Sequence, residues 1–196
     1  MDAPKTARGR QTRAAIIQAA ADLMYRRGVH ATSLDDVLDA AGCGKSQLYH
    51  YFAGRSQLLA AVVEFQLQGI LGDQRSYDLD TWRGLSAWFD SLVARQQKEG
   101  VRGCPLGSLV SQMLAEDDQL QDAVDGAFAD WEHELTLAFA RMRATGRLGG
   151  AAQPGELARR VLTLIQGGYL LSAVRRDPRP MREAVTAAYE HLRSAR

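Results

Sequence analysis

The sequence predicts an all-α protein of about nine helices, with a small three-helix head at the N-terminus and a larger helical body after it. Apolar residues recur three and four positions apart along most of the chain, and this spacing buries one face of a helix. No stretch shows the alternation of apolar and polar residues that indicates a half-buried strand. Gly, Pro and Asp residues separate the apolar stripes, and these residues favour helix ends and turns.

The composition predicts a soluble cytoplasmic protein. Of the 196 residues 46% are hydrophobic, which is enough for a packed core, and no apolar run approaches the length of a membrane span. The charged N-terminus lacks the apolar segment of a signal peptide, and two cysteines are too few for a disulfide framework. Residues 1–55 carry eight Lys and Arg against five Asp, whereas the rest of the chain carries 16 basic and 18 acidic residues. A basic N-terminal segment of this kind is one feature of nucleic-acid-binding proteins.

The chain starts with a polar segment and a first helix. Residues 1–10 show no pattern and predict a flexible basic arm. Lys5 is equally compatible with a frayed terminus and with DNA contact, whereas Arg10 and Arg13 favour contact with DNA phosphates. An apolar stripe over Thr12–Arg27 predicts the first helix.

The second helix has a recognisable start. Thr32 occupies an N-cap position, and Asp35 lies three residues later, where a capping box places its acidic partner. One buried face is then predicted from an i, i+3, i+4, i+7 pattern formed by Leu34, Val37, Leu38 and Ala41. Gly42-Cys43-Gly44 ends this helix in a turn, where Cys43 is expected to pack.

The third helix, Lys45–Phe52, buries little and displays many polar groups. Its only apolar anchors are Leu48 and Phe52. The rest of its surface consists of hydrogen-bonding side chains: Lys45, Ser46, Gln47, Tyr49, His50 and Tyr51. Two helices joined by a short Gly-containing turn, the second rich in donors, indicate a helix-turn-helix.

The run TSLDDVLDAAGCGKSQLYHYFAGRSQLL resembles the DNA-binding domain of the TetR (TetR/AcrR-type) family of transcriptional regulators. The matching positions are Thr32, Ala41-Gly42, Lys45, the block from Leu48 to Phe52, and Leu58-Leu59. The resemblance covers the first third of the chain. It implies two domains, which we expect at residues 1–55 for DNA binding and 56–196 for ligand binding and dimerisation.

The resemblance also implies which side chains meet double-stranded DNA. Gln47 and Gly44 would face bases. The Gln47 side chain suits a bidentate contact to adenine, and it is equally compatible with contact to a thymine methyl or to a phosphate. Two residues depart from the family pattern: Gly44 lacks a side chain for one base contact, and Ala53 lacks a phosphate contact, for which Arg55 is expected to compensate. The complete set of expected DNA-binding residues is Arg10, Arg13, Thr32, Gly44, Lys45, Ser46, Gln47, Tyr49, His50 and Arg55.

Six further helices are predicted in the rest of the chain. Leu58 to Ile70 provide the stripe of a fourth helix, which links the head to the body. Proline or aspartate marks the starts of the later helices, including Asp117 or Asp118 before the seventh. The expected helices are 55–71, 82 to about 100, 105–114, 118–142, 154–174 and 178–192.

The body is expected to hold a small-molecule inducer, as the family resemblance implies. Aromatic and methionine side chains at helical spacing usually fill a core, but in a small body they also line pockets between helices. The candidate ligand-binding residues are Trp88, Cys104, Met113, Phe128 and Trp131. Cys104 precedes a helix N-terminus, which suits a reactive sensor of electrophiles or oxidants, although a packing role is more usual for a free cysteine.

The last two helices, about 154–194, are apolar over wide faces and are predicted to form a homodimer through a four-helix interface. No metal-ligand spacing, catalytic signature or phosphate-binding loop is present, so the sequence predicts no enzyme activity and no cofactor. The predicted function is a dimeric repressor that binds a palindromic operator and is released by an inducer. The alternatives are a ligand-independent DNA-binding regulator and a regulator that responds to electrophiles through Cys104.

Overall fold

The computed structural model describes residues 6–98, 100–113 and 118–196. Across these ranges the chain forms nine α-helices and no strand. The helices are α1 (Ala7–Arg27), α2 (Leu34–Ala41), α3 (Lys45–Tyr51), α4 (Arg55–Gln74), α5 (Trp82–Lys98), α6 (Gly107–Met113), α7 (Asp118–Ala144), α8 (Pro154–Arg175) and α9 (Arg179–Ser194). The predicted all-α class is confirmed.

The N-terminal helix is longer than the sequence pattern predicts. It begins at Ala7 because the hydroxyl of Thr6 caps it, accepting a hydrogen bond of 3.0 Å from the amide of Gly9. The prediction of a flexible arm is therefore wrong for residues 7–10, which place Arg10 on the first turns of α1. Lys5 lies outside the described residues.

Two predicted features of the later helices also fall outside the described ranges. These are Leu114, expected to close α6, and Asp117, expected to cap α7. The side chain of Asp118, the alternative cap, is likewise not described, although α7 begins at that residue.

Two compact units make up the chain, and each consists of two separate stretches of sequence. The first contains Met1–Gly69 and Pro105–Ala127, and the second contains Ile70–Cys104 and Phe128–Arg196. The first unit therefore extends beyond residue 55, where the sequence predicts the end of the DNA-binding domain, and it includes α6 and the start of α7. Sequence periodicity does not reveal this association because it reports only which helix faces are apolar.

In the first unit, small and branched side chains of α1 pack against the two short helices that follow. Ile16, Ala20 and Met24 of α1 are buried, as are Val37 of α2 and Leu48 of α3. Phe52, directly after α3, is also buried, so the predicted anchors of the third helix are confirmed. With Leu48 and Phe52 buried and Tyr51 half-buried, the other side chains of α3 are exposed.

In the second unit, α8 and α9 pack closely against each other. A Cβ added to Gly168 of α8 would lie 2.8 Å from Cβ of Ala184 and 3.2 Å from Cα of Met181 in α9. Only glycine allows this approach of the two helices. The buried Ser172 hydroxyl accepts a hydrogen bond of 2.9 Å from the amide of Met181, which satisfies the start of α9.

Within the described residues, none of the helices is both long enough and apolar enough to cross a membrane.

Candidate nucleic-acid interface

The second helix starts one residue later than its predicted cap. Ser33, rather than Thr32, is the N-cap, and its hydroxyl accepts a hydrogen bond of 3.1 Å from the amide of Asp36. The Asp36 carboxylate in turn accepts a hydrogen bond of 2.9 Å from the Ser33 amide, which completes a capping box. The prediction of Thr32 and Asp35 as the capping pair is therefore wrong. The hydrogen bonds from the Ser33 side chain and backbone hold the pKa of Asp36 below its usual value near 3.8.

Thr32 has a different role in the loop before α2. Its side chain is buried, with 1% of its surface exposed, and its hydroxyl donates to the Gly28 carbonyl at 2.8 Å. The exposed hydroxyl at this helix start belongs to Ser33. The Thr32 side chain, which the sequence predicts to contact DNA, is therefore directed into the loop, and Ser33 is the exposed residue at this position.

The turn between α2 and α3 depends on a glycine. Gly42 has φ 63° and ψ 36°, the left-handed conformation, and its amide donates to the carbonyls near the end of α2. Glycine adopts this conformation without the steric cost of a Cβ. The next residue, Cys43, is half-buried, and burial raises the pKa of its thiol, which keeps the sulfur protonated.

Helix α3 exposes one continuous polar surface, which we call the α3 face. It consists of Lys45, Ser46, Gln47, Tyr49 and His50, all of them exposed. Tyr49 has 57% of its surface exposed, and the ring of His50 lies 4.9 Å from that of Tyr51 in an edge-on contact. The structure thus brings together the five central residues of the predicted DNA-binding set.

Two members of the α3 face already have partners in the protein. The ammonium of Lys45 lies 3.1 Å from a carboxylate oxygen of Asp35 on α2, and both side chains are about 70% exposed. The side-chain oxygen of Gln47 accepts a hydrogen bond of 3.1 Å from the amide of Gly44, the N-cap of α3. The Asp35 carboxylate therefore lies beside the α3 face. The sequence pattern instead predicts Asp35 as the acidic partner in a capping box.

Two arginines of α1, Arg10 and Arg13, belong to the predicted DNA-binding set. Arg13 lies with its guanidinium carbon 5.3 Å from the centre of the Phe52 ring, within the range of a cation–π contact. Arg10 is exposed one turn earlier on the same helix.

Arg55 holds the loop between α1 and α2. Its guanidinium donates to the carbonyl of Thr32 at 2.9 Å and to that of Val29 at 2.6 Å. On the amide side of the same loop, Gln112 of α6 accepts a hydrogen bond of 2.8 Å from the Val29 amide. The loop that sets the start of α2 is therefore held by two side chains, and sequence reasoning missed Gln112 because it lies 83 positions away.

The candidate ligand-binding residues divide between the two units. Met113 belongs to the first unit, whereas Trp88, Cys104, Phe128 and Trp131 belong to the second. In the second unit the rings of Phe128 and Trp131 stack at 6.2 Å, and the Trp131 indole donates to the buried side-chain oxygen of Gln74 at 2.9 Å. Trp88, Cys104, Met113 and Trp131 are buried, and Phe128 is half-buried.

Cys104 is almost completely shielded from solvent. Only 2% of its surface is exposed, and its sulfur lies 3.6 Å from the side-chain nitrogen of Gln166. Burial of this kind is typical of a packing cysteine, since reactive thiols are partially exposed. Among the residues that the structure describes, no group of three or more His, Cys, Asp or Glu side chains is arranged to hold a metal ion.

Comparison with protein families gives two matches that together span most of the chain. Residues 16–62 match the family described as bacterial regulatory proteins, tetR family. Residues 82–187 match the LmrA/YxaF-like C-terminal domain of transcriptional regulators. The first match contains α2, α3 and the whole α3 face.

Individual relatives agree with this assignment. An uncharacterised HTH-type regulator from the lacX 3′ region of Lactococcus lactis subsp. lactis is 30% identical over 176 residues, which cover 86% of each chain. The HTH-type regulator LmrA of Bacillus subtilis (strain 168) is 26% identical over 175 residues, covering 87% of this chain and 90% of LmrA. In fold, a regulatory protein TetR from Rhodobacter sphaeroides superposes with a TM-score of 0.80 at 22% identity, over 92% of this chain and 98% of that one. The chain belongs to the TetR family of DNA-binding transcriptional regulators and carries an LmrA/YxaF-like C-terminal domain.

Proposed function

We propose that this regulator is a cytoplasmic homodimeric repressor that binds a palindromic operator and leaves it when a small molecule binds the helical body. The observation that carries the proposal is the α3 face, a set of exposed polar side chains above the buried anchors Leu48 and Phe52. Lysine, glutamine and histidine tips on a short helix fit the phosphates and base edges of a major groove. Arg10 and Arg13 of α1 and Ser33 at the start of α2 add candidates for phosphate contacts.

A second copy of the chain is our candidate partner for the outer face of α8. This α8 stripe consists of Thr163, Gly167, Leu170, Leu171 and Val174, which lie on one side of the helix. Leu170 and Val174 are 63% and 72% exposed, which is unusual for aliphatic residues so close together. Thr163 also lines a surface groove of about 480 Å³ that reaches His191 of α9. Gly168, in contrast, packs inside the chain against α9, so the two adjacent glycines serve different faces.

A dimer also agrees with the way in which helix-turn-helix domains bind DNA. Two recognition helices reach successive major grooves when they are about 34–36 Å apart, one turn of the double helix. A palindromic operator presents the same bases to both heads of a dimer. A ligand that favours another separation then weakens operator binding.

For the ligand, the buried aromatic residues of the second unit are our candidates, with Trp88, Phe128 and Trp131 as the principal contacts. Cys104 belongs to the same unit, whereas Met113, the remaining residue that the sequence predicts, belongs to the first unit. Aromatic and methionine side chains suit an apolar, planar small molecule. Thermodynamic linkage requires the ligand and the operator to weaken each other's binding by the same factor, which is typically about 5–150.

Sequencing of genomic fragments retained by the purified full-length protein tests the proposal. We expect one palindrome whose half-sites lie about one helical turn apart. A compound found by quenching of tryptophan fluorescence should then bind less tightly when that operator is present. Asymmetric single sites would contradict the dimeric mode of binding, and a ligand affinity unchanged by the operator would contradict induction.

The ion pair between Lys45 and Asp35 gives a prediction for DNA affinity. Asp35→Asn removes a negative charge beside the α3 face and releases Lys45 for a phosphate. We expect operator affinity to rise a few-fold, because an exposed ion pair is worth less than about 1 kcal/mol. The slope of log affinity against log salt should steepen by up to about 0.9, the value for one added phosphate contact.

Asp22→Asn is the matched control for this change. Asp22 is also an exposed aspartate in an ion pair, with Arg26 on α1 at 3.7 Å. A titration of fluorescent operator at several salt concentrations compares the two variants. If Asp35→Asn and Asp22→Asn have the same effect, Lys45 does not contact DNA.

A further inference from the structure

Gln47 occupies the α3 face, yet its side chain is bound to the start of its own helix. Its side-chain oxygen accepts a hydrogen bond of 3.1 Å from the Gly44 amide. A backbone amide only donates, so the atom that faces it is the oxygen and not the nitrogen of the glutamine. The two hydrogens on the side-chain nitrogen remain for an outside partner, together with the second lone pair of the oxygen, which the bond to Gly44 holds toward the helix start.

The comparison with α2 explains why Gln47 is used in this way. Helix α2 has a complete capping box, in which Ser33 and Asp36 each satisfy an amide of the other. The N-cap of α3 is Gly44, which has no side chain, so of the two capping-box bonds only the one that the Gly44 amide donates to Gln47 is made. The side chain of Gln47 therefore contributes to the start of α3 as well as to its outer surface.

This arrangement changes which base edge Gln47 fits. A bidentate contact to adenine needs the oxygen to accept from N6 while the nitrogen donates to N7. The bond to Gly44 uses one of the two lone pairs of the oxygen and holds it at the helix start, so an adenine contact would need the second lone pair together with an amide turned to place both its oxygen and its nitrogen against the base. Guanine instead presents two acceptors in the major groove, O6 and N7, and either can accept a hydrogen from the amide nitrogen without the glutamine oxygen.

We propose that Gln47 reads guanine as a donor only, through its side-chain nitrogen, while its oxygen caps α3. The proposal rests on the DNA-binding function and concerns the base chosen by one side chain. It replaces the adenine contact that residue type alone suggests, because the structure assigns the oxygen to Gly44.

Three substitutions separate the two halves of the glutamine amide. Gln47→Lys keeps hydrogen donors and removes the oxygen, Gln47→Glu keeps an oxygen for the cap and removes the donors, and Gln47→Ala removes both. The experiment selects operators from a pool randomised over the half-site, using the full-length wild-type protein and each variant. Circular dichroism of each variant checks that its helical content is unchanged.

We expect wild type to select guanine over the other bases at one position of each half-site by about tenfold. Gln47→Lys should keep guanine there, since lysine is also a donor to O6 and N7. Gln47→Ala should lose the preference at that position alone, and Gln47→Glu should disfavour guanine and shift selection toward cytosine, whose amino group donates.

Adenine at that position for wild type, lost in the lysine variant, would overturn the proposal in favour of bidentate reading. An alanine variant that binds every sequence more weakly with the base preference intact would overturn it in favour of a phosphate contact. A wild-type protein that selects no sequence contradicts the proposed operator binding itself, which distinguishes that failure from an error about Gln47.

Discussion

Replacing Leu170 and Val174 together with glutamate is expected to convert the dimer to monomers and to lower operator affinity by about 10²–10⁴-fold. Two linked heads gain this factor over one head, because the second binds at a high effective concentration. Both side chains are largely exposed in the single chain, so the change removes little packing within it. Four negative charges facing one another across the α8 stripe would oppose association.

Sedimentation at micromolar concentration measures the mass, and titration of a fluorescent operator measures the affinity. Leu137→Glu is the matched control, since Leu137 is also an exposed leucine but belongs to α7 and not to α8. We expect this control to keep the wild-type mass and affinity. If the double variant sediments as a dimer, the α8 stripe is not the interface, and if it is a monomer that binds the full operator normally, dimerisation is not needed for recognition.

The sequence was sufficient to predict the helices of this protein because their apolar stripes are regular and their ends are marked. In the third helix, for example, the sequence offers two apolar anchors, Leu48 and Phe52, and both are buried. The other side chains of α3 are exposed, apart from Tyr51, which is half-buried. The family of the DNA-binding segment could also be predicted, because many of its positions match at once.

The register of the α2 cap shows where a local pattern is not enough. Thr32 and Asp35 fit a capping box, and Ser33 and Asp36 fit the same pattern one residue later. The structure selects the second pair because the Thr32 hydroxyl turns back to the Gly28 carbonyl. A contact within the preceding loop thus decides which of two equivalent caps forms.

Arg55 illustrates a second limit of sequence reasoning, since charge alone suggested a phosphate contact. Its partners are carbonyls of the loop between α1 and α2, and the bond from Gln112 to Val29 fixes the same loop from a distant segment. Side chains that satisfy loop backbone leave no periodic signal. Their identification required the positions of atoms far apart in the chain.

Arg55→Met should therefore act through stability and not through the loss of a phosphate contact. Removing two charge-assisted hydrogen bonds to half-buried carbonyls is expected to lower the free energy of unfolding by about 2–4 kcal/mol. Operator affinity should fall because the loop no longer holds the start of α2. The salt dependence of binding should stay the same, since the number of phosphate contacts does not change.

Arg55→Lys separates a loop clamp from a phosphate contact. Lysine keeps the positive charge but lacks the planar fork that reaches two carbonyls at once. If Arg55 clamps the loop, the lysine variant should be nearly as unstable as the methionine variant in urea denaturation. If Arg55 instead contacts DNA, lysine should restore affinity, and the methionine variant should keep its stability while its salt slope falls by about 0.9.

Gln112 holds the same loop as Arg55, so a double substitution tests whether the two side chains act together on stability. Gln112 accepts from the amide of Val29 and Arg55 donates to its carbonyl, so the two side chains act on one residue. Substituting both with methionine should therefore give a non-additive loss of stability, with a coupling energy of about 0.5–3 kcal/mol. Additive losses would mean that the two contacts hold the loop independently of each other.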